Sequence, residues 1–215
     1  MRVAILVAAV AVLAAVYVLF EREKPSASKL VLIAVLTALS VAGRMAFFMT
    51  PFFKPVLAFA IIAGLAMGPA SGFVVGSMTA LVSNFLFGQG PWTPFQMLAW
   101  GLTGAVAGWL ARWLVKRNEE GRVTGVRPVP TLAYGFVSAF LLHGLITDLW
   151  TVFFVNEHPT IGSVLSVYAA AVVPDTVLGI STVVFLALLA SPMLRKVVRV
   201  QEKYGMTRKL WVNWE

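Results

Sequence analysis

Cysteine is absent from the 215 residues, which excludes disulfide staples, thiol catalysis and thiolate metal sites. Charge is scarce too. Only 12% of the residues are Asp, Glu, Lys or Arg, where a water-soluble domain carries roughly 25%. Acids are the rarest, nine against seventeen lysines and arginines. There is no GxxxxGK[ST] phosphate loop, so the chain has no ATPase motif of its own. No HExxH and no cluster of His, Asp and Glu supports a catalytic zinc. Alternating strands of about ten residues, the mark of a membrane barrel, are missing as well. An intramembrane serine protease built on Ser71 and His143 also fails. Ser71 falls in a turn and His143 near mid-bilayer, more than about 10 Å apart in depth at the helical rise per residue.

What remains is apolar. Hydrophobic residues make up 60% of the chain and the mean hydropathy is +0.87. Seven segments read as membrane helices, at about 3–20, 28–49, 54–67, 70–88, 93–115, 130–155 and 161–191. Between Pro55 and Pro69 only about 13 residues can run as helix, near 20 Å against a hydrocarbon core of about 30 Å. That third segment is a short span or a re-entrant piece.

The basic residues set an expected orientation. With seven spans, fourteen of the seventeen fall on one side: Arg22, Lys24 and Lys29, then five between Arg112 and Arg127, then six from Arg195 to Lys209. The other side keeps Arg2, Arg44 and Lys54. The positive-inside rule makes the first side cytoplasmic, with the N-terminus outside and the C-terminus inside. The net charge of +8 thereby reads as cytoplasmic loops, and no nucleic-acid partner is called for. The first segment reads as a retained helix, with a signal peptide as the alternative. The fold class is an all-α polytopic membrane protein. An extra N-terminal helix and linker occupy 1–27, a six-helix bundle 28–192, and a basic cytoplasmic tail 193–215. The closing LWVNWE has no account.

Chemistry concentrates in FGQGPWTPFQMLAWG, residues 87–101. Trp92, Gln96, Trp100, Gly104 and Gly108 recur every four residues and share a helix face. Its outer end offers an indole, an amide and a second indole; its inner end offers only glycine. An interfacial aromatic belt explains Trp92 but neither Gln96 nor Trp100, so the stripe reads as ligand-facing. Asp148 and Asp175 lie about 26 Å and 22 Å above the cytoplasmic ends of their helices, in the outer third of the bilayer. A carboxylate in hydrocarbon costs about 2.5–3.5 kcal/mol and belongs in the bundle interior or a wet cavity. His143 lies deeper. It is five residues from Asp148, about 140° around a regular helix, so the two make no metal pair. Arg44 can snorkel, neutralise an aspartate (Asp175 above all) or grip an anionic ligand group. Gly64, Gly68, Gly72 and Gly76 form one small-residue series, and Ala34, Ala38 and Ala42 another; such faces pack internally or dock another subunit.

The order Ala34-xxx-Ala38, Gly43-Arg44, GLAMGPASGFVVGSMTALVSN, FGQGPWTPFQMLAWG and PDTVLGISTVVF resembles the substrate-binding S component of energy-coupling factor (ECF) transporters, the bacterial vitamin importers. The resemblance covers roughly 28–192. It implies six helices, the second and third of them short, and a pocket open to the outside at Arg44, Gln89, Trp92, Gln96, Trp100, Asp148, Trp150 and Asp175. Asn84 and His143 complete the candidate set. It also implies that Ala34, Ala38 and Ala42 dock an energy-coupling transmembrane subunit connected to two ATPases, in the plasma membrane of a prokaryote. Uptake would follow by tilting of the loaded bundle, with no cofactor. Riboflavin, thiamine or a pyrimidine precursor, folate and cobalamin all suit an aromatic-lined pocket, and the GQGPWTP stretch leans toward a cobalamin-related ligand or another precursor. A non-transporting scaffold, or a proton-coupled transporter using Asp148 and Asp175, are the competing readings.

Overall fold

The computed structural model describes residues 2–155 and 160–206; Arg208, Lys209 and LWVNWE lie outside the described residues. The chain forms a bundle of apolar helices. Helix α1 spans Arg2–Arg22 and α2 Ala27–Ala46, the latter started by Ser26, whose side chain accepts from the Lys29 amide. Helices α3 (Val56–Met67) and α4 (Pro69–Phe87) follow, then α5 (Thr93–Trp109) with Pro94 in its first turn. After α5 come a single turn, α6 (Ala111–Leu114), and a small antiparallel hairpin of β1 (Val115–Arg117) and β2 (Val123–Val126). The sixth segment is composite: α7 (Pro128–Val137), a π-helical turn at Ser138–His143, α8 (Gly144–Trp150), and a second π turn at Thr151–Val155. The last helix, α9, runs 43 residues from Ile161 to Lys203, begun by a reciprocal capping box between Thr160 and Ser163. Among the described residues, five helical segments are long and apolar enough to cross a bilayer, and α3 is a shorter apolar helix.

The short helix α3 has 12 residues, about 18 Å, and every one is buried. It packs against α2, α4, α5 and α9 and meets little lipid, so bilayer thickness does not set its length. Gly68 joins it to α4 with φ of +90°, a conformation open to glycine, and Pro69 starts α4 at once. The glycine series packs inward. A Cβ at Gly64 or Gly72 would fall on the Gly104 carbonyl, one at Gly76 on the Trp100 carbonyl, and one at Gly108 on the Pro69 backbone. Backbone thus touches backbone along the α3–α4–α5 seam.

Two boundaries differ from the sequence reading. Segment five stops at Trp109, not 115, because Val115–Val126 folds back as a hairpin whose strands are too short to show a period of two. Segment seven continues past 191, through Pro192, to Lys203. Leu194, Val197, Val198 and Gln201 are buried on one face of that extension, and Arg195 donates to the Thr124 carbonyl (3.0 Å) while Ser191 accepts from the Val126 amide (3.2 Å). The helix persists because the hairpin gives its apolar face a partner. By contrast α1 lies at the periphery, with Ala9, Leu13 and Phe20 buried and Tyr17 bonded to Ser77 (2.7 Å).

Candidate ligand-binding site

The end of the bundle where α2 stops and α5 starts holds a cavity of about 380 Å³. Arg44 from the last turn of α2, Gln96 and Trp100 from α5, His143 and Asp148 from the broken helix, and Asp175 from α9 all line it. A second hollow of about 210 Å³ adjoins it, sharing Gln96, Thr147 and Asp148 and adding Trp92, Phe95 and Trp150. Trp92, Phe95, Trp150 and Phe154 form one aromatic cluster there, with ring centroids 4.2–6.1 Å apart.

A polar chain braces the cavity wall. Arg44 donates to Ser83 and to Asn84 Oδ1 (2.8 Å), and its guanidinium lies 4.2 Å from the Phe87 ring centroid and 5.0 Å from that of Trp100. Asn84 in turn donates to Gln96 Oε1 (2.8 Å) and Thr93 Oγ1 (3.1 Å). Thr93 donates to Gln89 Oε1 (2.9 Å), and Gln89 Nε2 to the Leu81 carbonyl (2.8 Å). This chain ties α2, α4 and α5 together through groups that the bundle interior would penalise if left bare.

Lys54, in the loop before α3, also lines the cavity. Its ammonium donates to the carbonyls of Phe47 (2.8 Å) and Thr50 (3.0 Å), with Phe48 at 3.5 Å, and so closes the end of α2. Desolvation, then the nearby Arg44 charge, holds its pKa below the ordinary lysine value. On the far wall, His143 Nδ1 lies 3.8 Å from Asp175 Oδ1. Gly144 makes room for that carboxylate, since a Cβ there would press on it.

Four of the lining residues carry a fully buried polar atom without a hydrogen-bond partner: Arg44 Nε, Trp100 Nε1, His143 Nδ1 and Asp148 Oδ2. Such groups cost about 1–3 kcal/mol each when left unpaired, and all four belong to residues that border this one hollow.

The model of a known family, the ECF-type riboflavin transporter S component, matches residues 24–196. The chain belongs to this family. It is therefore a multi-pass membrane protein and a substrate-capture subunit of an ECF transporter. No curated protein and no solved structure matches the chain.

Eight of the ten residues singled out from the S component's sequence line one hollow or the other; Asn84 and Gln89 do not. Asn84 is buried behind the wall and spends its amide on Arg44, Thr93 and Gln96, and Gln89 is turned onto Leu81 and Thr93. Arg44 does not pair with an aspartate; its partners are on α4, and Asp175 faces His143 instead. His143 and Asp148 are five residues apart, about 140° around a regular helix. The stretch from Gly144 to Trp150 is indeed α-helical, yet both residues reach the same cavity. Lys54, Phe52 and Thr147 were missed. The signal for Lys54 was its rarity, as one of three basic residues outside the cytoplasmic set, between Pro51 and Pro55. The alanines stand apart from this site. Ala34, Ala38 and Ala42 are exposed on α2 and line an apolar groove of about 720 Å³ between α1, α2 and α4.

Proposed function

We propose that this S component captures riboflavin from the extracellular side and hands it inward with an energy-coupling transmembrane subunit and two ATPases. The observation that carries the reading is a cavity of about 380 Å³ lined by Arg44, Gln96, Trp100, His143, Asp148 and Asp175, with an aromatic-walled hollow beside it. Its volume falls within the usual range for a small-molecule site, about 300–1,000 Å³, and with the adjoining 210 Å³ it suits a flat ring bearing a polar arm. A corrinoid, several times larger than a flavin, does not suit it. The ligand in the family's name, riboflavin, supports the same choice.

The cavity shares its end of the bundle with the 47–55 and 88–92 loops, and the positive-inside count puts that end outside. Ala34, Ala38 and Ala42 form the docking face for the energy-coupling subunit. Their exposure and the absence of side-chain bulk would let a partner helix approach closely.

The test is reconstitution. Liposomes carrying this chain with the partner subunits should accumulate riboflavin only with ATP, and the chain alone should bind without accumulating. Accumulation by the chain alone, driven by a proton gradient, would overturn the reading. Orientation is checked in the cysteine-free chain by single cysteines at Gly90 and Asn118. A membrane-impermeant maleimide on intact cells should label the first and spare the second.

A further inference from the structure

Helix α1 lies outside the family match, which begins at residue 24, yet it is held in a definite place. Tyr17 shares a hydrogen bond with Ser77 (2.7 Å) and meets Phe73 edge-on, ring centroids 6.4 Å apart. Leu13 joins the buried cluster of Leu57, Phe73 and Met97. Phe20 is buried, with the Lys29 ammonium 5.4 Å from its ring centroid. These contacts lean α1 onto α4 and α5 instead of along α2. What stays open between α1 and α2 is the apolar groove of about 720 Å³. Its floor is Val74, Met78 and Val82, four apart on α4. One wall is α2, from Leu30 to Ala42. The other is Tyr17 and Phe20, next to the α1–α2 link, where Lys29 also pairs with Glu23 (3.2 Å).

The two walls differ in kind. The α2 wall carries Ala34, Ala38 and Ala42, whose methyl groups let a facing backbone come close. The α1 wall presents two rings, and the Tyr17 hydroxyl is already spent on Ser77. A membrane helix uses both, its backbone near the alanines and its side chains on the rings. A lipid chain would fill the space without needing a wall of small residues. An S component works with an energy-coupling partner, and this groove is continuous with the alanine face proposed for that partner. We infer that a transmembrane helix of the energy-coupling subunit seats between α2 and α1, so that the extra N-terminal helix is itself part of the docking surface. This rests on the docking reading above and deepens it, because Tyr17 and Phe20 then help to choose the partner.

The test co-expresses the full-length chain with a tagged energy-coupling subunit and its two ATPases. Photoreactive p-benzoylphenylalanine placed at Tyr17, or at Ala38, should crosslink the chain to the energy-coupling subunit. At Leu19, exposed and turned about 200° from Tyr17, it should not. Tyr17→Ala should cut the chain recovered on the tagged subunit by about tenfold or more, the scale of losing one aromatic anchor. Tyr17→Phe keeps the ring and should hold recovery within about twofold, and both variants should bind riboflavin within about twofold of the unmodified chain. Crosslinking from Ala38 alone would overturn the inference and leave the docking reading standing. So would a Tyr17→Ala chain recovered as well as the unmodified one, or better. Crosslinking from neither position in an assembled complex would remove the docking reading, and this inference with it. The photoreactive residue replaces one ring by another, so the crosslinks decide even where Tyr17→Ala fails to fold.

Discussion

One helix face does two different jobs along its length. From Trp92 through Gln96 to Trp100 it borders the two hollows, while at Gly104 and Gly108 the same four-residue repeat meets the backbones of α3 and α4. Geometry is common to both halves; only the side chain differs. Where it is absent, neighbouring helices close until carbonyl and Cα touch, and the interior fills. Where it is an indole or an amide, the side chains border the two hollows that the bundle leaves open. The packed half makes the other half precise, since Gly76 seats α4 against the Trp100 backbone and so fixes where its indole points.

The comparison breaks most visibly at the seam. Gly104→Val sets a branched side chain on the Gly72 and Ala60 carbonyls, and it should cost about 3 kcal/mol or more, read as a collapsed melting transition or loss of the single elution peak. A tolerated valine would mean that the seam is not tight. At the cavity half the effect should fall on ligand and not on fold. Gln96→Ala removes a lining amide and the acceptor for Asn84, and should weaken riboflavin binding by about tenfold while the melting temperature moves little. Ala38→Leu lies on neither half. It should leave binding within about twofold and abolish ATP-driven uptake in the reconstituted complex; lost binding would show that this face packs internally. Smallest is Tyr17→Phe, which gives up the Ser77 bond and should cost about 1 kcal/mol of stability without touching affinity.

Much of this contrast was legible in the sequence, because a four-residue repeat on a helix survives folding unchanged. The glycine series could be read as internal packing, and the indole–amide–indole stripe as a wall, without coordinates. The buried α3 was visible as a length problem between Pro55 and Pro69. What sequence could not supply was the other side of each contact. Arg44 could have met an aspartate, a ligand or water, and its choice of Ser83 and Asn84 depends on how α2 lies on α4. Nor did a spacing of five residues show that His143 and Asp148 border one cavity. Lys54 was hidden because a lysine in a loop is ordinarily solvated, and only the fold turns it back onto three carbonyls.

The most direct test is a titration of the purified chain with riboflavin, followed by quenching of flavin fluorescence, on unmodified protein and on Gln96→Ala. The account predicts saturable binding of one flavin per chain and a loss of about tenfold or more in the variant. Saturable binding that Gln96→Ala leaves unchanged, or no binding to the unmodified chain, would contradict it.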